Sequence, residues 1–166
     1  MLRVIQRMKE SSTAKIVSTF LGALAVARGM SQDEYVELII NEMIPEVGGQ
    51  SLADFVDVFC DRGFFTTKDT ARILEAAATW GMQPKIHADE LASSGGVEIG
   101  VKHNALSVDH LESMTVEEID ILRDSNTMPT LLPGTSFFLN MPYGKGRKMI
   151  DAGLGVAIAS DYNPGS

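Results

Sequence analysis

One cysteine, Cys60, is all the thiol this 166-residue sequence holds. An internal disulfide is therefore excluded, which fits a reducing, cytoplasmic setting. Positive charge is also scarce: 14 Lys and Arg stand against 22 Asp and Glu, a net charge of −8, and no basic block occurs. Phosphate neutralisation needs clustered cations, so nucleic acid is excluded as a partner. No apolar run approaches the roughly 18–20 residues of a membrane span. The opening "MLRVIQRMKE" lacks the apolar centre of a signal peptide and reads as an amphipathic helix. The stretch "FLGALAVARG" after the first strand-like run does not have the glycine spacing of a dinucleotide-binding turn. No linker, low-complexity tract or internal repeat interrupts the chain.

What is present is enough for one domain with a real core, since 45% of residues are hydrophobic. Strand-like runs alternate with helical ones. The spacing predicts strands at 15–22, 54–60, 84–88, 105–110, 129–133 and 153–161. Between them, Ser31 with Glu34, Thr66 with Asp69, and Thr115 with Glu118 have the spacing of capping boxes that open helices. The first of these helices carries Val36, Ile39, Ile40, Met43 and Ile44 on one face and is expected to end near Pro45. The second carries Ile73, Leu74, Ala77 and Trp80; the third turns Val116, Ile119 and Leu122 inward. Short helices are expected near 95–103 and over 145–152.

Alternating strands and helices imply a parallel sheet, either open and doubly wound or closed as a barrel. Polar residues at successive strand ends favour the barrel, whose chemistry sits on that rim: His87 with Glu90, then His110, then Asp161. Six strands make most of a (β/α)8 TIM barrel, a single incomplete domain over residues 1–166. Imidazole and carboxylate suit zinc or divalent iron, and Glu90 is placed to hold or deprotonate a water. Any one strand-end histidine is ordinarily a hydrogen-bonded structural residue; three strand ends agreeing in order favour function. His103, near a helix end, takes the structural reading, and so does Cys60, with no base nearby. Asp89 is expected to bond loop backbone. The terminal "SDYNPGS" forms a tight turn that would present backbone amides, the Asn163 amide and the Ser166 hydroxyl beyond Asp161, an array suited to a carboxylate or amide.

Taken in order, "KIHADEL", "LSVDHLE", "TLLPG" and "ASDYNPGS" resemble the imidazolonepropionase family of the amidohydrolase superfamily, with "TFLGA", "NEMIPEV" and "DFVDVFCDRGFF" extending the likeness over essentially the whole chain. The resemblance implies an amidohydrolase-type barrel and hydrolysis of the cyclic amide bond of 4-imidazolone-5-propanoate to N-formimino-L-glutamate, in histidine degradation. It implies one divalent metal ion, zinc or iron, with His87 and Asp161 as ligands. Glu90 becomes a substrate contact that helps activate water, and His110 an acid/base or electrostatic group. Glu90, His110 and Asp161 form the catalytic set, and Asn163, Gly165 and Ser166 contact substrate and product. A small-molecule substrate follows, and a homodimer is compatible with the full-length protein.

Two departures stand out. The family's His-x-His pair, and an Arg and a Tyr that hold substrate, have no counterpart in these residues, so the sequence reads as an internal piece expected to be inactive alone. Where the family has Gly-Ala-His-Ala this chain has "GALA", placing Leu24 at a substrate-contacting histidine position. Two other readings stay open: another cyclic amidase or deaminase of the superfamily, and a non-catalytic barrel remnant that serves as a binding module.

Overall fold

A computed structural model describes residues 1–163. Helix α1 (Leu2–Ser11) precedes strand β1 (Thr19–Ala23). Then come α2 (Gln32–Leu38), a π-helical turn (Ile39–Met43) and α3 (Ile44–Gly49). The remainder alternates: β2 (Phe55–Cys60), α4 (Thr67–Ala78), β3 (Gln83–Ala88), α5 (Gly96–Lys102), β4 (Ser107–His110) and α6 (Val116–Arg123). Strand β5 (Met128–Leu131), α7 (Pro133–Phe138), α8 (Gly146–Asp151) and β6 (Ala157–Ile158) complete it.

All neighbouring strands pair in parallel, and the order in space is the order in sequence, β1 to β6. An open doubly wound sheet reverses its strand order at a switch point; no reversal occurs here. Residues of β1 (Thr19, Leu21) and residues just past β6 (Ala159, Asp161) line one cavity, so the sheet curls. This is six strands of a (β/α)8 barrel. No helix among the described residues is long and apolar enough to cross a membrane.

Side-chain alternation sorts the two faces of the sheet. Val56, Val58, Ile86, Ala88 and Val108 are buried, and they join Ile73, Leu74 and Ala77 of α4, Val97 and Ile99 of α5, and Ile119 and Leu122 of α6 in one core. Burying each large aliphatic side chain contributes about 1.5–3 kcal/mol. Gly96 lets α5 approach this face closely: a Cβ there would lie 2.7 Å from the Ala88 Cβ.

Local signals hold at all three capping boxes, which form on both sides. Several expectations need correction. The first strand starts at Thr19 rather than at 15, because Ser18 is drawn out of the ladder by the Asp54 carboxylate, which accepts from its N–H at 2.8 Å and its Oγ at 2.9 Å. Helix does not stop near Pro45. The π turn before it absorbs the misfit, and proline then sits in the first turn of α3, where its missing N–H removes no helical bond. Pro133 opens α7 in the same way instead of closing β5. The sixth strand is only two residues long, since α8 runs into the left-handed Gly153 where extended backbone was expected. Val116 lies in the first turn of α6 and is exposed. Trp80, beyond the end of α4, is half-exposed and packs on Gly48 of α3.

Candidate functional site

The inner face of the sheet is polar. Asp57 of β2, Lys85 and His87 of β3, and Asp109 of β4 stand on alternate positions to the buried aliphatics. The register pairs Asp57 with Lys85, Phe59 with His87, and His87 with Asp109. His87 Nδ1 lies 3.0 Å from Asp57 Oδ1, and Lys85 Nζ lies 3.3 Å from Asp109 Oδ2. Both carboxylates are buried. Burial works to lower the His87 pKa, but the Asp57 carboxylate outweighs it, helped by Asp109 and Asp161, and the net direction is upward.

At the rim, the backbone departs from regular geometry. His110 has φ +85° and Leu111 φ +68°, consecutive left-handed residues without glycine. Such conformations cost about 1–3 kcal/mol each and persist where surroundings impose them. Alternation alone would send His110 outward after Val108. The turn instead brings its ring centroid to 5.1 Å from that of His87. His110 is buried, and its Nδ1 lies 3.6 Å from Glu90 Oε2 and 3.7 Å from Glu112 Oε2. Burial, then repulsion from His87, lowers its pKa to about 4. Burial, then the Glu112 charge, raises Glu90 to about 7. Burial also raises Glu112, whose Oε1 accepts from Ser136 Oγ at 2.8 Å. A neutral imidazole thus sits beside Glu90, whose carboxyl exchanges its proton near neutrality, an arrangement able to move a proton to or from a bound molecule.

Asp161, at φ +51°, accepts a 2.6 Å hydrogen bond on Oδ2 from Thr135 Oγ1 of α7. The Asn163 amide donates to the Asp161 carbonyl at 2.9 Å, closing a local turn. Gly165 and Ser166 lie outside the described residues. His87, Glu90, His110, Asp161, Asn163 and Leu24 all line one cavity of about 490 Å³, walled further by Leu21, Phe59, Thr135, Phe138 and Leu139. A second cavity, of about 510 Å³, is lined by Asp57, Lys85 and Asp109 and shares His87 and Asp161 with the first.

Asp89 faces away from this mouth. It is fully buried, its Oδ1 accepts from Ser94 N–H at 3.2 Å, and burial with the Glu118 carboxylate raises its pKa to about 8. Asp61 accepts from Leu91 N–H at 2.8 Å and from Ser94 Oγ at 3.0 Å. Together they pin the loop that carries Glu90. Cys60 is buried and its thiol is pushed up to about 11, chiefly by burial, which removes nucleophilic character. His103 caps the C-terminal end of α5.

Four acidic residues were missed by reading strand ends alone: Asp57, Asp61, Asp109 and Glu112. For Asp57 and Asp109 a signal exists. An acid next to a buried valine inside a strand, as in "VDV" and "SVDH", must face something other than the aliphatic core. Among the described residues, Asp57, His87 and Asp109 each bring a donor atom within 4.8 Å of the others, a set able to hold a cation.

No protein-family model matches the chain. It is 48% identical over 168 residues to the imidazolonepropionase of Christiangramia forsetii and 47% identical over 168 residues to that of Flavobacterium johnsoniae, covering 100% of this chain and 41% of each relative. The imidazolonepropionase of Geobacillus kaustophilus is 47% identical over 167 residues, covering 99% of this chain and 39% of that protein. The chain thus spans roughly two-fifths of the length of these curated relatives. Among solved structures, an adenine deaminase from Arthrobacter aurescens superposes with a TM-score of 0.71 at 16% identity, over 96% of this chain and 48% of that one. A zinc-bound adenosine deaminase from Xanthomonas campestris gives 0.66 at 14% identity, over 98% and 40%. These likenesses show the fold.

Proposed function

Because the chain belongs with the imidazolonepropionases of the amidohydrolase superfamily, whose sequences it matches along its whole length, we propose that it forms the catalytic core of a metal-dependent hydrolase. In a protein of the relatives' full length, this core opens the cyclic amide bond of 4-imidazolone-5-propanoate to give N-formimino-L-glutamate. The observation that carries the reading is convergence: His87 and Glu90 from the end of β3, His110 from the end of β4 and Asp161 from beyond β6 line one mouth.

The donors suit a divalent ion. His87 has one ring nitrogen at Asp57, leaving the other for a ligand, and Asp161 is oriented by Thr135. Imidazole and carboxylate accept zinc and ferrous iron alike. A catalytic zinc uses three protein ligands, so further donors are assigned to parts of the relatives' length that these residues do not span. Asp57 and Asp109 form an alternative donor set with His87, but the Lys85 ammonium beside Asp109 already supplies a cation there. When bound, the ion would polarise the ring carbonyl and acidify water.

The chain's own residues supply the rest. Glu90 takes the proton of the attacking water, and His110 hydrogen-bonds the developing oxyanion or the departing nitrogen. Asn163 contacts the substrate, with Gly165 and Ser166 assigned to the same role. Assaying a full-length protein that contains this chain tests the proposal. Turnover of 4-imidazolone-5-propanoate, lost on chelation and restored by zinc or iron, is expected; preference for another cyclic amide or an aminopurine would move the activity elsewhere in the superfamily. A protein that neither retains metal nor turns over any of them would be a binding module.

A further inference from the structure

We propose that Asp57 is a positioning residue: it holds His87 in the Nδ1–H tautomer, so that Nε2 is the nitrogen offered to the mouth. The inference rests on His87 serving as a metal ligand, but its first observable does not.

Asp57 and His87 come from adjacent strands, and Asp57 Oδ1 lies 3.0 Å from His87 Nδ1. A neutral imidazole carries one N–H, and an ionised carboxylate can only accept. The proton is therefore held at Nδ1, and the lone pair at Nε2. Asp57 is 3% exposed, so water does not compete for the contact. The other carboxylate in reach, Asp109, is drawn instead to the Lys85 ammonium at 3.3 Å. Phe59, whose ring centroid lies 5.9 Å from that of His87, and His110 pack about the imidazole and restrict its rotation. Carboxylate–histidine pairs of this kind orient metal-binding imidazoles, and their loss typically weakens metal binding by roughly 10- to 100-fold.

Long-range ¹⁵N–¹H correlation spectra of the full 166-residue chain, recorded at alkaline pH so that the ring carries a single proton, read the tautomer directly. The three histidines are distinguished with His103→Gln and His110→Gln variants. The unsubstituted chain is expected to show a protonated Nδ1 and an unprotonated Nε2 at His87, read without altering Asp57 or His87. In Asp57→Asn, whose amide can present oxygen or NH₂, a mixture with the Nε2–H form is expected, and Asp57→Glu is expected to restore the original signature. Titration with zinc ion alone should shift His87 Nε2, about 10- to 100-fold more weakly in Asp57→Asn. An Nε2–H tautomer in the unsubstituted chain, or an unchanged tautomer in Asp57→Asn, overturns the assignment. A correct tautomer with no zinc response in this chain supports the role of Asp57; the metal role of His87 is sunk when a full-length protein carrying His87→Gln retains zinc as the unsubstituted one does.

Discussion

The rings of His87 and His110 lie with centroids 5.1 Å apart and planes 43° from parallel. At that separation two imidazolium charges repel by about 3 kcal/mol for an effective dielectric near 20. One of the pair must stay neutral, and the more deeply buried His110 does. Its neighbour Glu90 carries the exchangeable proton of the mouth.

A pH profile follows from Glu90. It takes up the water proton only when ionised, and its pKa is raised to about 7. In a full-length protein, kcat/KM is expected to climb as pH rises through about 7. Glu90→Gln should remove that limb and lower kcat/KM by roughly a hundred- to ten-thousand-fold. A profile flat from pH 6 to 8 would remove Glu90 from proton transfer.

Asp89 controls a stability term of opposite character. Its folded pKa of about 8 lies above its ordinary value, so the folded state holds a proton that the unfolded chain releases. That contribution is complete below about pH 4 and is lost as pH rises toward 8. Asp89→Asn keeps a donor for Glu118 and an acceptor for Ser94 N–H without a titrating proton. Urea denaturation at pH 5 and pH 8 should show the variant more stable at pH 8, on the order of 3 kcal/mol, with a smaller fall between the two. A variant that loses stability equally at both would show that ionised Asp89 is tolerated.

Leu24 is 46% exposed on the wall of the cavity that holds His87 and Glu90. Leucine offers no hydrogen bond, whereas histidine at this position can reach the imidazolone or its carboxylate. A hydrogen bond to a charged group is worth about 1.5–3 kcal/mol, so Leu24→His in a full-length protein should raise kcat/KM about ten- to a hundred-fold. Equal values, with both proteins equally folded and metallated, would place residue 24 outside the substrate site.

Among the described residues, both β1 and β6 have a partner strand on one side only. Exposed edges recruit other strands, and Phe137, Phe138, Leu139 and Ile158 add exposed apolar surface. The 166-residue chain is expected to self-associate, as read by sedimentation velocity across a concentration series. A monomer with one sharp cooperative melt would contradict this.

Sequence by itself determined the local features. Ser31 with Glu34, Thr66 with Asp69, and Thr115 with Glu118 start their helices because each box is closed by residues three apart. The positions of His87 and His110 at the ends of β3 and β4 were legible for the same reason, a run of β-branched residues ending where its pattern ends, whereas Asp161 lies three residues beyond the short β6 rather than at its end. Tertiary structure decided what meets across strands. The inner layer of Asp57, Lys85 and Asp109 depends on register, and a shift of one residue would send all three to the aliphatic side. The inward turn of His110 depends on two left-handed residues that no periodicity announces. Its place between Glu90 and Glu112 depends on the segments that follow β3 and β4 arriving together. Passage through Pro45 depended on a π turn set by packing around Ile39 and Ile44. Interactions within four residues are written in the chain; those between strands exist only once the sheet has curled and buried charges must find partners or shift their pKa.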